Sequence, residues 1–307
     1  MKKRAFIYII AAGILWGTSG IFVKSLAPHG YSTLDLTALR GIISFIFFLT
    51  YAAIRERSAF KVTAKQLLYF LGIGLTLFGT AGFYFLSLEA TSISTAVVLM
   101  YTAPVYVTVF SAIFLGEKFS RTKLAALFMM FGGCCLVSGI IGGMKFDALG
   151  ILFGMIAGLS FASYNILTKI CMQKSFSPIS ANLYGSAFMT VIALVFSNPA
   201  QVVTSTKEKP LVLLPALVAL GVVTFVLPYL FYALGMKELH AGTASALSTV
   251  EPLSASVFGI VLFNESLTFL SVIGMALILF AVALLGLAEN HGIHTNKSSK
   301  GETKCIE

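Results

Sequence analysis

The sequence predicts an all-α integral membrane protein of ten transmembrane helices, organised as two inverted five-helix repeats. Three observations lead to this prediction: an apolar composition, a series of long apolar segments, and a duplication of one half of the chain in the other. Of the 307 residues, 58% are apolar and 11% are charged, whereas a soluble domain averages about 25% charged residues. The composition therefore favours membrane-crossing helices over a water-soluble core.

Ten apolar segments can be marked, each about as long as the ~20 residues that cross a hydrocarbon core. They cover residues 5–24, 34–54, 66–87, 93–115, 123–143, 148–168, 179–198, 211–235, 241–263 and 267–287. The basic start at Met1–Arg4 resembles a signal peptide, but no small-residue cleavage site follows, which favours a retained first helix. The polar tail from Glu289 onward is predicted to be disordered.

The distribution of lysine and arginine predicts that both termini are cytoplasmic. Sixteen of these residues lie at the termini and in loops on one side, against four on the other side, namely Lys24, Lys145, Lys207 and Lys209. Loops rich in positive charge stay in the cytoplasm. In a soluble protein the net charge of +9 would suggest nucleic acid, but here membrane orientation explains it, and we expect no nucleic-acid partner.

The second half of the chain repeats the first. A shift of 148 residues places Tyr84 on Tyr232, Pro104 on Pro252 and Glu117 on Glu265. A shift of 145 residues aligns residues 13–24 with 158–169. The predicted units are residues 1–144 and 145–288, followed by the tail 289–307. Because five is odd, the second unit enters the membrane inverted, an arrangement typical of transporters with a substrate site at the midplane.

The paired units, the Trp16-Gly17 first helix and the Pro–x12–Glu spacing of each half resemble the drug/metabolite transporter superfamily. The closest likeness is to its EamA branch of ten-helix bacterial carriers, over residues 5–287. This resemblance implies a central cavity lined mainly by helices 1–4 and 6–9, with helices 5 and 10 peripheral. It also implies a bacterial-type plasma membrane and a small-metabolite substrate. Members of the branch commonly export amino acids or other metabolites, and some import their substrates.

Two charged residues, Glu251 and Arg40, fall well inside apolar segments. Glu251 stands where the first repeat has Ala103, so the helix itself does not require an acid there. A charge at this depth is costly and marks a candidate functional site. One interpretation is a proton or cation site, because removal from water favours the protonated carboxyl. The other is a structural lock to Arg40 or to nearby hydroxyls such as those of Ser248 and Thr249.

Arg40 has two interpretations as well. It can contact Asp35 or extend to the membrane interface, which is a structural role. Alternatively, its planar guanidinium can serve as the counter-ion of a substrate carboxylate.

The prolines and aromatic residues complete the predicted site. Pro104 and Pro252 each interrupt a helix and free the carbonyls of Met100 and Ser248, which is tolerated where a helix lines a cavity; a packing kink is the alternative. Aromatic side chains deep in the segments can stack on rings or on cationic amines, or they can simply pack. The predicted substrate-binding set is Trp16, Tyr84, Tyr101, Tyr232, Ser248, Thr249 and Glu251.

Several other residues occupy repeated positions. Glu117 and Glu265 end the fourth and ninth segments at opposite faces, so they are candidate gate residues or simply solvated acids. Lys24 and Lys169 occupy matching helix ends and have the same two interpretations. Gly13 and Gly17 have the spacing that lets two membrane helices approach closely.

The sequence thus favours a secondary transporter of a small metabolite, with proton coupling as an option, and more readily an exporter than an importer. The chain lacks a P-loop pattern, so it does not encode ATP drive. A membrane-embedded enzyme is disfavoured because the histidines lie outside the segments and the acids are scattered. A channel is disfavoured because no ring of charges is present. We expect no cofactor and no metal, and the sequence leaves a homodimer open.

Overall fold

A computed structural model describes residues 2–91, 93–117, 120–137, 147–263 and 268–284, and every regular element in them is a helix. The apolar helices, in chain order, are α1 Lys3–His29, α2 Thr33–Arg55, α3 Ala64–Ala90, α4 Thr95–Leu115, α5 Arg121–Val137, α6 Ala148–Gln173, α7 Pro178–Phe196, α8 Pro210–Met236, α9 Ala241–Leu262 and α10 Phe269–Leu284. A polar helix, Pro199–Glu208, lies between α7 and α8.

Eight of these helices are long and apolar enough to cross a membrane, and they match eight of the ten predicted segments. In the part of the chain that the structure describes, α5 and α10 are shorter. That these two also cross the membrane stays a prediction. The predicted tail, residues 289–307, lies outside the described residues.

Polar side chains begin several helices at the edges of the apolar runs. Ser32 accepts a hydrogen bond from the Asp35 backbone N–H at 3.1 Å, and the Asp35 carboxylate accepts one from the Ser32 N–H at 3.0 Å. Thr63 and Gln66 form the same reciprocal cap on α3, while Asp147 caps α6. These contacts satisfy N–H groups that have no partner within a helix. They therefore fix where each helix begins.

The two proline-bearing helices are each built from two pieces. The helical piece Ile93–Met100, whose part from Thr95 belongs to the apolar span of α4, is followed by Ala103–Leu115. In α9, Ala241–Ser248 is followed by Val250–Phe263, which ends one residue beyond the apolar span. Pro104 and Pro252 stand in the first turn of the second pieces. A proline fits this position because the N–H that it lacks would have no helical partner there.

The breaks in α4 and α9 pack closely against two other helices. α1 packs on α8 and α9, while α6 packs on α3 and α4. A Cβ atom at Gly13 would lie 2.6 Å from Val250 Cγ1, and one at Gly158 would lie 3.0 Å from the Leu99 carbonyl oxygen. Glycine is therefore required for this close approach, as the spacing of Gly13 and Gly17 suggested.

Candidate functional site

A cavity of about 210 Å³ lies between the eight long helices. Its volume is below the ~300–1,000 Å³ of pockets for drug-sized ligands. Each of the eight helices contributes to its wall, including Trp16, Arg40, Tyr84, Tyr101, Phe161, Met189, Tyr229 and Glu251. Within the described ranges, α5 and α10 contribute no lining residue. The cavity is small enough to suit a compact metabolite.

The cavity extends from the middle of the helices toward one face of the bundle. Its wall includes Val23 and Thr33, which flank the connection between α1 and α2. The turn between α8 and α9, residues 237–240, lies at the other face, because Gly235 packs beside Ala5 and Ile9 at the start of α1. We call these the α1–α2 face and the α8–α9 face.

Arg40 and Glu251 bring opposite charges to this cavity. Both side chains are partly exposed in the cavity, and their charges attract each other. Although both residues are in the described part of the chain, no nitrogen–oxygen contact of 4.0 Å or less joins them. The Arg40 Nη2 donates to Thr37 Oγ1 at 3.1 Å, whereas its buried Nε has no hydrogen-bond partner among the described residues.

The residues considered as structural partners of Arg40 and Glu251 form hydrogen bonds with other groups. Asp35 accepts hydrogen bonds from Ser32 and, at 2.8 Å, from the Asn198 N–H, so it is not the partner of Arg40. The hydroxyls of Ser248 and Thr249 donate at 2.7 Å to carbonyl oxygens of their own helix. They are therefore not donors to Glu251, and the charges of the cavity remain available to a ligand.

Aromatic side chains form one wall of the cavity. The ring of Tyr229 lies 5.1 Å from Trp16 and 4.3 Å from Phe225, measured between ring centroids. Phe161 lies 6.1 Å from Trp16 at a steep angle. The Trp16 Nε1–H is buried and has no hydrogen-bond acceptor in the described structure. Trp16, Tyr84 and Tyr101 line the cavity as the sequence suggested.

Tyr232 occupies a different place from the other predicted aromatic residues. It is fully buried, with its ring 5.2 Å from that of Trp16, and it is not among the lining residues. Its hydroxyl donates a hydrogen bond to Asn165 Oδ1. Tyr232 therefore supports the aromatic wall from behind.

The resemblance to the transporter superfamily implied that α8 lines the cavity, but sequence reasoning did not select the two aromatic residues that α8 places there, Phe225 and Tyr229. A π-helical turn at Val222–Val226 joins the two α-helical parts of α8, and it brings Phe225 and Tyr229 into the wall together. Such turns are frequent at functional sites. Pro228, a proline inside the eighth apolar segment, is the feature of the sequence that would have pointed to it.

The prolines act differently at the two breaks. Pro104 lines the cavity, whereas Pro252 is buried and is not a lining residue. The Ser248 carbonyl oxygen lies 3.0 Å from the place of a Cβ on Gly13, so this carbonyl faces α1. Ser248 itself is a lining residue of the cavity.

Known proteins share this architecture. The model of the EamA-like transporter family matches residues 3–139 and, a second time, residues 148–287. The chain belongs to this family. It is 29% identical over 280 residues to an "Uncharacterized transporter" of Archaeoglobus fulgidus, covering 90% of this chain and 94% of that protein. It is 23% identical over 288 residues to the "Probable amino-acid metabolite efflux pump" of Escherichia coli K12, covering 91% and 93%.

A solved crystal structure superposes on this EamA-like chain with a TM-score of 0.78, covering 95% of this chain and 99% of the other. At 21% identity this likeness shows the fold alone. With the family established, the chain is a multi-pass membrane transporter, and a transporter is not an enzyme.

At the α8–α9 face of this EamA-like transporter lies a second polar site. Glu117 accepts hydrogen bonds from the N–H groups of Ala241 at 2.8 Å and Gly242 at 3.5 Å, and it lies 3.5 Å from His240 Nδ1. Burial raises the pKa of Glu117, but the hydrogen bonds from His240 and the two N–H groups outweigh burial and hold the pKa below its ordinary value. Glu117 thus anchors the start of α9; Glu265 lies outside the described residues.

No group of three or more His, Cys, Asp or Glu side chains that could hold a metal ion occurs in the described ranges. The candidate site is the central cavity, whose opposite charges and aromatic wall suit a small organic ligand.

Proposed function

We propose that this chain is a secondary active transporter that exports a small metabolite, such as an amino acid or an amine, across the plasma membrane. The observation on which the proposal rests is the pair of opposite charges, Arg40 and Glu251, at one cavity between the long helices. Ionised groups at such depth are costly, and in membrane proteins they mark substrate or ion pathways. The name of the Escherichia coli relative, "Probable amino-acid metabolite efflux pump", agrees with this substrate class.

The chemistry of the cavity suits a molecule with a positive and a negative end. A substrate ammonium would interact with Glu251 and with the faces of Trp16 and Tyr229, because aromatic rings attract cations. A substrate carboxylate would interact with the Arg40 guanidinium, which lines the cavity and has no carboxylate oxygen within 4.0 Å among the described residues. Charge-assisted hydrogen bonds of this kind are about twice as strong as neutral ones. Both ends of an amino acid would then be satisfied.

We further propose ten transmembrane helices arranged as inverted repeats, residues 1–144 and 145–288. The two separate family matches support this division. So do the contacts, because α1 packs on α8 and α9 as α6 packs on α3 and α4. In both halves a glycine of the repeated motif, Gly13 or Gly158, packs against the break of a proline-bearing helix. Each of these contacts therefore has a counterpart in which the aligned helices of the two halves change places.

The charge distribution supports cytoplasmic termini, and labelling can test this proposal. Single cysteines replacing Lys65 and Lys209 should react with a membrane-impermeant thiol reagent from opposite sides of the membrane. Reaction of both from the outside would contradict the inverted topology.

Glu251 is also the candidate for proton coupling. A carboxyl that faces a narrow cavity can exchange a proton with either side as the halves move relative to each other, and it can equally neutralise a cationic substrate. Import by the same fold is the alternative direction, since the cavity itself carries no sign of direction. A measurement of whether protons move together with the substrate would distinguish proton-coupled transport from facilitated diffusion.

Counterflow in proteoliposomes tests the proposed function directly. Vesicles loaded with an unlabelled amino acid or amine should accumulate the labelled compound transiently, with a rate that saturates. A carrier shows this exchange because the loaded site must cross in both directions, whereas a channel does not. Flux that rises linearly with concentration and lacks counterflow would contradict a carrier.

A further inference from the structure

The turn between α8 and α9 is held by two charged side chains from other helices. Lys169, near the end of α6, donates from Nζ to the carbonyl oxygens of Met236 at 2.8 Å and Leu239 at 2.6 Å. Glu117, just after α4, accepts from the first N–H groups of α9. One residue thus holds the end of α8, and the other holds the start of α9.

The sign of each charge matches the helix end that it contacts. The last carbonyls of a helix have no partner within it and carry partial negative charge, whereas the first N–H groups carry partial positive charge. A cation at the end of α8 and an anion at the start of α9 are therefore both favourable. Lys169 is only 7% exposed, so water screens its contacts little and an unpaired ammonium there would be costly.

The position of this turn relates it to the path of the substrate. The central cavity extends to the α1–α2 face, and the turn lies at the opposite face. A second, polar cavity of about 380 Å³ lies beside the turn and is lined by Glu117, Lys169, Glu238 and His240, among others. The two cavities have no lining residue in common within the described chain. Lys169 and Glu117 line the second cavity, so their contacts lie at the face that would have to open for the central cavity to reach it.

We propose that Lys169 and Glu117 are gating residues that hold the α8–α9 face closed, and that both contacts break when the central cavity opens to that face. This inference rests on the proposed alternating-access function and adds the gate to it. The two residues position the turn and do not contact the substrate in the central cavity. Their release would move the first piece of α9, which carries Ser248 and precedes the piece that carries Glu251.

Cysteine accessibility tests the gate without knowledge of the substrate. Met100 lines the central cavity, so a single cysteine there, with the four native cysteines replaced by serine, reports access from each side. We expect Lys169→Met to raise the rate of labelling by an impermeant maleimide from the α8–α9 face about tenfold, because charge-assisted hydrogen bonds hold the turn. Labelling from the α1–α2 face should slow.

Lys174→Met is the matched control, because it removes the same charge from the same helix end at an exposed position. It should leave both labelling rates unchanged. Glu117→Gln keeps the shape of the side chain and should act in the same direction as Lys169→Met, so it tests the gate even if Lys169→Met does not fold. Unchanged rates in Glu117→Gln, or an equal effect of Lys174→Met, would overturn the proposal.

The same preparations separate this inference from the proposed function. If the wild-type protein shows counterflow and the gate variants do not change accessibility, the gate is wrong and the transporter stands. If the variants change accessibility and no amino acid or amine shows counterflow, the gate stands and the proposed substrate class is wrong.

Discussion

The two halves of the chain bring corresponding positions to one cavity but equip them differently. Positions aligned by the repeat line the cavity in pairs, namely Trp16 and Phe161, Leu77 and Phe225, Ala81 and Tyr229, Met100 and Ser248, Tyr101 and Thr249, and Ala103 and Glu251. At four of these pairs the second half has the more aromatic or more polar side chain. The shared backbone therefore forms the cavity, and α8 and α9 supply much of its chemistry.

This difference between the halves is sharpest at Glu251, an acid that the first half does not have at the aligned position. Ala103 and Glu251 occupy aligned positions, each just before a proline, so the helix break itself does not require a carboxylate. The first half contributes the opposite charge to the cavity, that of Arg40. The comparison predicts that substitutions of the charges affect transport more strongly than substitutions of the rings, and that residues away from the cavity mainly affect stability.

The largest effect is expected for Glu251→Gln, which keeps the shape of the side chain but removes its charge. Transport of an amino acid or amine should fall about 100-fold, the loss expected for a charge-assisted hydrogen bond in the cavity, and any dependence on pH should disappear. Glu251→Asp should retain part of the activity. Glu89→Gln, the same change at an exposed acid, is the control. Normal, pH-dependent transport by Glu251→Gln would make Glu251 a structural residue.

A smaller effect is expected for Arg40→Lys. The ammonium cannot reproduce the planar donor pair of the guanidinium, so the KM for a substrate with a carboxylate should rise about tenfold. An amine without a carboxylate should be transported with unchanged KM. An equal loss for both compounds would indicate that Arg40 supports the fold and does not bind the carboxylate.

The repeat-related tyrosines Tyr84 and Tyr232 provide a direct contrast. Tyr84 lines the cavity, so Tyr84→Ala should raise the KM about threefold to tenfold, as the loss of an aromatic contact does, with little change in thermal stability. Tyr232→Phe removes the donor to Asn165, so the free energy of unfolding should fall by about 1–3 kcal/mol. Kinetics and thermal unfolding measure the two effects. If Tyr232→Phe changed only the KM, its placement behind the wall would be wrong.

The smallest effect is expected for Glu117→Gln, which should change how the stability of the protein depends on pH. The pKa of Glu117 is held below the ordinary value of 4.5, so its contribution to stability is present above that value and is lost as the pH falls through the lowered pKa. His240, Lys169 and Glu238 face the same polar cavity. The thermal unfolding of the purified protein should therefore lose less stability at acidic pH in Glu117→Gln than in the wild type. Identical pH profiles would contradict the role of the charged carboxylate.

The sequence predicted the all-helical class and the eight helices of membrane-crossing length, because long apolar runs are local features. Trp16, Tyr84 and Tyr101, which sequence reasoning selected from their depth in the segments, line the cavity, and their contact with a substrate stays a prediction. The sequence could not separate Tyr232 from Tyr84, because helix rotation in α8 depends on the π-helical turn before Pro228. The same turn brings Tyr229 into the wall, which periodicity at 3.6 residues per turn does not predict.

The role of the charges was left open by the sequence for a related reason. Whether Arg40 and Glu251 form a lock depends on their distance, which is set by how α2 and α9 pack around the cavity. The structure keeps them at one cavity without a direct ion pair. Only tertiary geometry could provide this information.

The fluorescence of Trp16 tests the central claim most directly, because it is the one tryptophan of the chain and it lines the cavity. A titration of the purified protein with a panel of amino acids and amines should give a saturable change in its emission for at least one compound. The apparent Kd for that compound should rise about tenfold or more in Arg40→Lys or Glu251→Gln. A compound that shows counterflow yet leaves the emission unchanged, or binds both variants as tightly as the wild type, would contradict the account.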